Sequence, residues 1–206
     1  MPCRIMKHPP QSGFAEIFRF VMLAFLVQLL LVPHASADTP QFQQNGDRTM
    51  TLTLSSSAFA HNDSIPAIYT CDGKDKSPPL AWKGIPQDAK SLVLIVDDPD
   101  APDPKAPKRT WVHWVLYNIP PDADGLREDI SVAELPAGSL EGTNDWQRTG
   151  YGGPCPPIGR HRYFHKLYAL DIVLPDLHKP TKAALEEAMA GHVLAKTELI
   201  GTYKRP

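Results

Sequence analysis

The chain reads as a mainly β protein, a β-sandwich closed by a C-terminal helical element. Three observations predict this: short strand-like runs bounded by turn residues, 22 prolines spread along the chain, and one helical pattern confined to its end. Proline lacks an amide donor and clashes with the preceding helical turn, so its abundance favours turns and strand edges. Many strands with one or two late helices fit packed layers better than a helical bundle.

The first 37 residues stand outside that fold. Arg4, Lys7 and Arg19 precede an apolar run at 20–32 (FVMLAFLVQLLLV), and Ala35-Ser36-Ala37 follows. A basic region, a short apolar core and an A-x-A site form the pattern of a secretory signal peptide. The run is shorter than the ~20 residues a spanning helix needs, so removal is expected rather than anchoring. Residues 1–37 are thus read as a cleaved leader, 38–48 as a flexible mature N-terminus and 49–206 as one domain. The mature chain of roughly 170 residues can bury a real core. It is expected in the periplasm or secreted, with no stable membrane span after cleavage.

Each element follows from its pattern. Residues 49–54 (TMTLTL) alternate Met50, Leu52 and Leu54 with threonines, the period of a half-buried strand. Strands are also predicted over 65–70, 91–97 (SLVLIVD) and 110–118 (TWVHWVLYN), each bounded by Pro, Gly or Asp. SLVLIV is apolar on both faces, which predicts a central strand covered on both sides. The last long strand is expected over about 162–173. The helix is 182–190 (KAALEEAMA), with Thr181 as N-cap and Gly191 past its end. A second short helical turn is expected near 193–197.

Composition narrows the function. The chain carries 21 Lys plus Arg against 23 Asp plus Glu and has no basic stripe, so nucleic acid is not an expected partner. Cys71 and Cys155 lie beyond the leader. In an oxidising compartment such an even pair suggests a disulfide, yet two free thiols fit the sequence equally well. Neither has a C-x-x-C partner, and no G-x-S-x-G, S-x-x-K or H-E-x-x-H occurs. No catalytic residue, metal ligand or cofactor is therefore assigned.

The residues that carry chemistry cluster in three places. Asp98 and Asp100 follow the buried SLVLIV strand in DDPDAP. A carboxylate at the exit of a core strand can orient an imidazole, but Asp before Pro initiates a turn by bonding its own backbone, the reading favoured for Asp98 taken alone and more so for Asp97 and Asp103. His113 shares a strand face with Trp111, Val115 and Tyr117 by two-residue alternation. In GPCPPIGRHRYFHKLYALD, prolines fix a turn at Gly153-Pro154, and the following strand projects His161 and Tyr163 from one face, with His165 one step further. Arg162 points the other way, outside the pocket or bridging loops. Under an apolar cover these polar groups must find partners, and a shared ligand, or the carboxylate–imidazole pair itself, supplies them economically.

DDPDAP, WVHWVLYNIP, GPCPPIGRHRYFHKLYALD and GHVLAKTELIGTYKR together resemble the phosphatidylethanolamine-binding protein family, in its bacterial Raf kinase inhibitor-like branch. The resemblance implies a Greek-key β-sandwich with a small pocket accepting phosphate, acetate or a phosphoethanolamine head group. It implies ligand-binding roles for Asp98, Asp100, Trp111, His113, Gly153, Pro154, His161 and Tyr163. His165 departs from the pattern, standing where bacterial relatives often carry an aromatic residue. The loop 103–109, with Lys105, Lys108 and Arg109, is more basic than the family leads one to expect. The expected partner is a small anion, held best by protonated imidazoles below about pH 7. A protein partner and a homodimer are left open. The alternative function is a hydrolase using an Asp98–His113 dyad or Cys155 as nucleophile.

Overall fold

The computed structural model describes residues 51–206. The proposed leader, the 38–48 segment, and Thr49 and Met50 lie outside the described residues. The described chain forms two antiparallel sheets and one short helix. The smaller sheet holds β1 (Thr53–Ser55), β2 (Leu80–Lys83) and β5 (Gly125–Leu126), in the order β1-β2-β5. The larger holds β3 (Ser91–Asp98), β4 (Trp111–Ile119), β6 (Leu140–Glu141), β7 (His161–Leu170) and β8 (Val193–Tyr203), in the order β6-β4-β3-β7-β8.

Within the larger sheet, β7 returns by a long connection to lie beside β3, opposite β4. The order β7-β3-β4-β6 is that of a Greek key, with β5 departing to the other sheet. Leu54, Leu80, Trp82 and Leu126 from the small sheet pack against Leu92, Leu94, Trp114, Leu167 and Leu199 from the large one. On the opposite face Val93, Ile95, Val115 and Tyr117 pack against Leu185 and Met189 at the helix α1 (Lys182–Ala188). Strand β3 therefore has a sheet on one side and a helix on the other, and all of its residues are buried. This is the doubly covered strand that SLVLIV predicts.

The helix begins as expected, with Thr181 Oγ1 accepting from the Ala184 amide at 3.3 Å. It is tied to the sheet through Asp97. That carboxylate is fully buried at the end of β3 and meets Lys166 Nζ at 2.8 Å and Lys182 Nζ at 2.9 Å. Asp97 is thus an ion-paired strand residue and not the turn former expected of it.

Two further expectations are corrected. Residues 65–70 do not form a strand, since Ala67–Tyr69 is a 3-10 turn. Thr70 closes it by donating from both its amide and Oγ1 to the Ala67 carbonyl. Residues 193–197 are not helical either. They open β8, which pairs with β7 from Leu170↔Val193 to His161↔Tyr203. The cross-strand ladder outweighs the helical propensity of Ala, Lys and Glu there.

Candidate functional site

One end of the sandwich carries a cavity of about 330 Å³, at the small end of the range for ligand sites. Asp98, Trp111, His113 and His161 line it, joined by Ala101, Pro102, Trp146, Cys155, Pro156 and Pro157. Four of the eight sequence-predicted site residues therefore converge on one hollow.

A β-bulge aims His113. Asp98 pairs with Trp111 and Asp97 with Val112, but Val96 pairs with Trp114, leaving His113 as the extra residue in β4. A bulge re-aims a side chain and breaks the alternation. Trp111 and His113 consequently face the cavity while Val115 and Tyr117 face the helix, which corrects the shared face expected from the sequence. The His113 ring nitrogen Nδ1 lies 2.6 Å from the Gly152 carbonyl, and the Gly152 amide donates to the His113 carbonyl at 3.1 Å. A carbonyl only accepts, so Nδ1 carries the proton. Nε2 is left buried without a protein partner among the described residues, as is the indole Nε1 of Trp111. Burial pushes the imidazole down from 6.5 to about 4, so His113 is neutral at pH 7 and Nε2 presents a lone pair.

His161 is engaged differently. Its Nδ1 meets Asp98 Oδ2 at 2.7 Å and its Nε2 meets the Ile158 carbonyl at 3.0 Å. Both nitrogens serve the protein, so His161 forms part of the wall and offers no free donor to a ligand. Asp98 Oδ1 also accepts from the Asp100 amide at 2.8 Å. The turn role and the imidazole-orienting role thus coexist in one carboxylate. Burial raises the Asp98 carboxyl above its usual value, against the lowering effect of His161.

The other four predicted residues back the cavity without lining it. Asp100 is gripped by Arg162, with contacts of 2.9 Å to Nε and 2.7 Å to Nη2 and a backbone bond of 2.9 Å. That guanidinium holds its carboxyl below the usual range. Arg162 is therefore the loop bridge the sequence allowed. The Gly153 amide donates to Asp75 Oδ1 at 2.6 Å, and the Pro154 carbonyl accepts from the Cys71 amide at 3.1 Å. Tyr163 lies behind both imidazoles, edge-on to His113 at 5.2 Å and stacked near His161 at 6.4 Å. Its buried hydroxyl has no protein partner among the described residues, and burial drives that phenol far upward.

Trp146 is the site residue that sequence reasoning missed. Its ring stands edge-on to Trp111 at 5.3 Å and to His113 at 5.2 Å, forming an aromatic wall. The one available signal was a solitary tryptophan in the polar stretch TNDWQRTG. The basic loop contributes through Arg109, which lies over the Trp111 ring at 4.7 Å and pairs with Asp145 at 2.9 Å.

Neither nucleophile arrangement of the hydrolase alternative is present. Asp98 is bonded to His161 and not to His113, because β7 runs beside β3 where the carboxylate emerges. Cys155 is bonded to Cys71, which resolves the thiol question in favour of a bridge and removes the free thiolate.

His165 lies deeper, fully buried beside Phe59 at 5.5 Å, with no well-aligned partner for either ring nitrogen. Burial pushes it down from 6.5 to about 4. Between those values the unfolded chain takes up a proton that the folded chain refuses. Its contribution is therefore intact above about pH 6.5 and lost as pH falls toward 4, by about 3 kcal/mol. The His165→Phe variant should gain about 1 kcal/mol at neutral pH and unfold at lower pH than the parent. Denaturant titrations at pH 7 and pH 4.5 check this.

Three kinds of comparison agree. A family model described as phosphatidylethanolamine-binding protein matches residues 55–204. A protein of Methanothermobacter thermautotrophicus, known as a UPF0098 protein, is 52% identical over 155 residues, covering 75% of this chain and 99% of the relative. The crystal structure of a putative phosphatidylethanolamine-binding protein homologue from Chlamydia trachomatis superposes with a TM-score of 0.70 at 42% identity, covering 76% of this chain and 99% of that one. Escherichia coli YbcL, described as a member of the mammalian family, gives a TM-score of 0.68 at 28% identity, covering 75% and 99%.

Proposed function

The chain belongs to the phosphatidylethanolamine-binding protein family, and we propose that it is an exported receptor for a small anion bearing a phosphate or carboxylate group. The observation that carries this reading is the pair of buried, unpartnered nitrogens, His113 Nε2 and Trp111 Nε1, at a single small cavity. Such atoms cost free energy unless a ligand or water satisfies them. The indole can only donate. The imidazole must gain a proton at Nε2 before it can donate to an anion. The aromatic and proline walls exclude water and strengthen that contact. A phosphoethanolamine head group meets the same requirement through its phosphate.

Binding is then coupled to proton uptake. The free imidazole sits at about 4 and the liganded one higher, so affinity falls as pH rises from about 4 until the value of the complex is passed. Burial thus moves the sensitive window below the pH 7 expected from an ordinary histidine. Sulfate is a suitable probe because its own charge is constant over this range. Calorimetry should show its affinity dropping up to about tenfold per pH unit, with about one proton taken up per anion in buffers of differing ionisation enthalpy. Affinity independent of pH, with no proton uptake, would refute the mechanism.

Export is supported by the basic and apolar pattern of residues 1–37. Fractionation followed by N-terminal sequencing should find the mature chain outside the cytoplasm, beginning at Asp38. An intact leader on a cytoplasmic chain would overturn this part of the proposal.

A further inference from the structure

We propose that the Cys71–Cys155 disulfide is a redox clamp on the cavity, so that its reduction loosens the wall and releases the ligand. The segment running from Gly152 to Ile158 does three things at once. Its Gly152 carbonyl fixes the proton on His113 Nδ1, its Ile158 carbonyl engages His161 Nε2, and Cys155, Pro156 and Pro157 form part of the wall. The disulfide grips the middle of this segment and joins it to a loop 84 residues away.

Other ties to that loop are few and lie on one side of the bridge. Among the described residues they are Cys71 N to the Pro154 carbonyl at 3.1 Å, Gly153 N to Asp75 Oδ1 at 2.6 Å, Tyr151 Oη to the Tyr69 carbonyl at 3.0 Å, and the ion pair of Arg148 Nη2 with Asp75 Oδ2 at 3.8 Å. All precede Cys155. Among the described residues, the disulfide is the one covalent or polar tie from the stretch between Cys155 and Ile158 to that loop. It carries no regular secondary structure, and Cys155, Pro157 and Ile158 are exposed.

Both cysteines are solvent-exposed, so a dithiol reductant can reach the bridge. A reductant thiolate attacks Cys71 Sγ and breaks the S–S bond, forming a mixed disulfide and releasing Cys155 as a thiolate. The reductant's second thiolate then displaces Cys71, closing the reductant's own disulfide. Two electrons and two protons pass to the chain, leaving Cys71 and Cys155 as thiols. An oxidising compartment, where the leader would deliver the chain, keeps the clamp shut.

The affinity half of this proposal rests on the anion-receptor reading of the same cavity; the wall half does not. The test compares the purified full chain with and without dithiothreitol, and adds a Cys71→Ser/Cys155→Ser variant. Hydrogen exchange is followed over residues 152–158, with Ser91–Asp98 in β3 as the control for global folding. Sulfate affinity is measured on the same samples. Reduction is expected to raise exchange at 152–158, leave β3 protected, and weaken sulfate binding at least about tenfold as preorganisation is lost. Unchanged exchange at 152–158 in the reduced chain overturns the proposal, whatever the affinity does. So does faster exchange with equal sulfate affinity in both states. If the oxidised chain binds no sulfate while reduction still loosens 152–158, the anion reading fails and the clamp stands. Should the double variant not fold, the reduced parent chain gives the same comparison.

Discussion

Replacing His113 by phenylalanine should weaken sulfate binding roughly 10- to 100-fold, the worth of one hydrogen bond to a charged partner. Phenylalanine keeps the edge contacts that His113 makes with Trp146 and Tyr163, so the cavity retains its shape. It removes Nε2, the buried nitrogen that has no partner among the described residues and that the proposed anion would meet. It also leaves the Gly152 carbonyl without its partner, a loss of about 1 kcal/mol in folding stability. The pH dependence of the remaining affinity should disappear with the imidazole. His165→Phe is the matched control: it also exchanges a fully buried imidazole for a phenyl ring, at a residue that does not line the cavity. Calorimetric titration of both variants at pH 5 and pH 7 separates the roles. Equal weakening in both would mean that lost packing, rather than lost chemistry, governs the affinity.

Asp97→Ala should cost about 3 kcal/mol and lower the melting temperature by roughly 10 °C. The carboxylate is fully buried and faces two ammonium groups. Removing it leaves both cations without their shared partner beside an apolar layer. Lys166 and Lys182 retain 25% and 20% side-chain exposure, so partial escape to water keeps the loss at the low end for a broken buried pair. Because Lys182 opens α1, the helix should exchange before the sheet does. Exchanging all three residues for Leu or Met should recover much of the stability, since well-packed apolar groups can replace a buried ion pair. Thermal melts of the single and triple variants check the argument. A single variant as stable as the parent would show that the pair contributes little beyond packing.

Much of this was legible in the residues. The doubly apolar run SLVLIV announced a strand covered on both faces, because period-two burial on one side only would have left polar residues between. Thr181 marked the start of the helix by its capping chemistry, whereas the helix ends at Ala188 with Met189 as C-cap, two residues before the end that Gly191 suggested. Asp98, His113, His161 and Tyr163 could be gathered because polar residues set in apolar strands need partners, although Tyr163 stands behind the cavity, and Trp111 joined them only through the family resemblance. What stayed hidden depends on pairing across long separations. The residues opening β8 have helical propensities, and only the ladder with β7 makes them a strand. Asp98 chose His161 over His113 because of strand order, which propensity does not encode. His113 reaches the cavity through a bulge, and nothing in TWVHWVLY marks one. Asp97 and Asp98 look alike as letters; which of them enters the ion pair is decided by the pleat.

That last point reaches beyond the two carboxylates. Neighbouring residues at the end of β3 perform unrelated tasks on opposite sides of one ribbon: anchoring a helix, and orienting a ring beside the cavity. Adding or deleting one residue within the strand would turn each acid to the wrong side, stranding two lysines and one imidazole in a single event. The spacing from Ser91 to Asp98 is held by partners on both sides at once. Variation among relatives should therefore leave the length of this strand untouched.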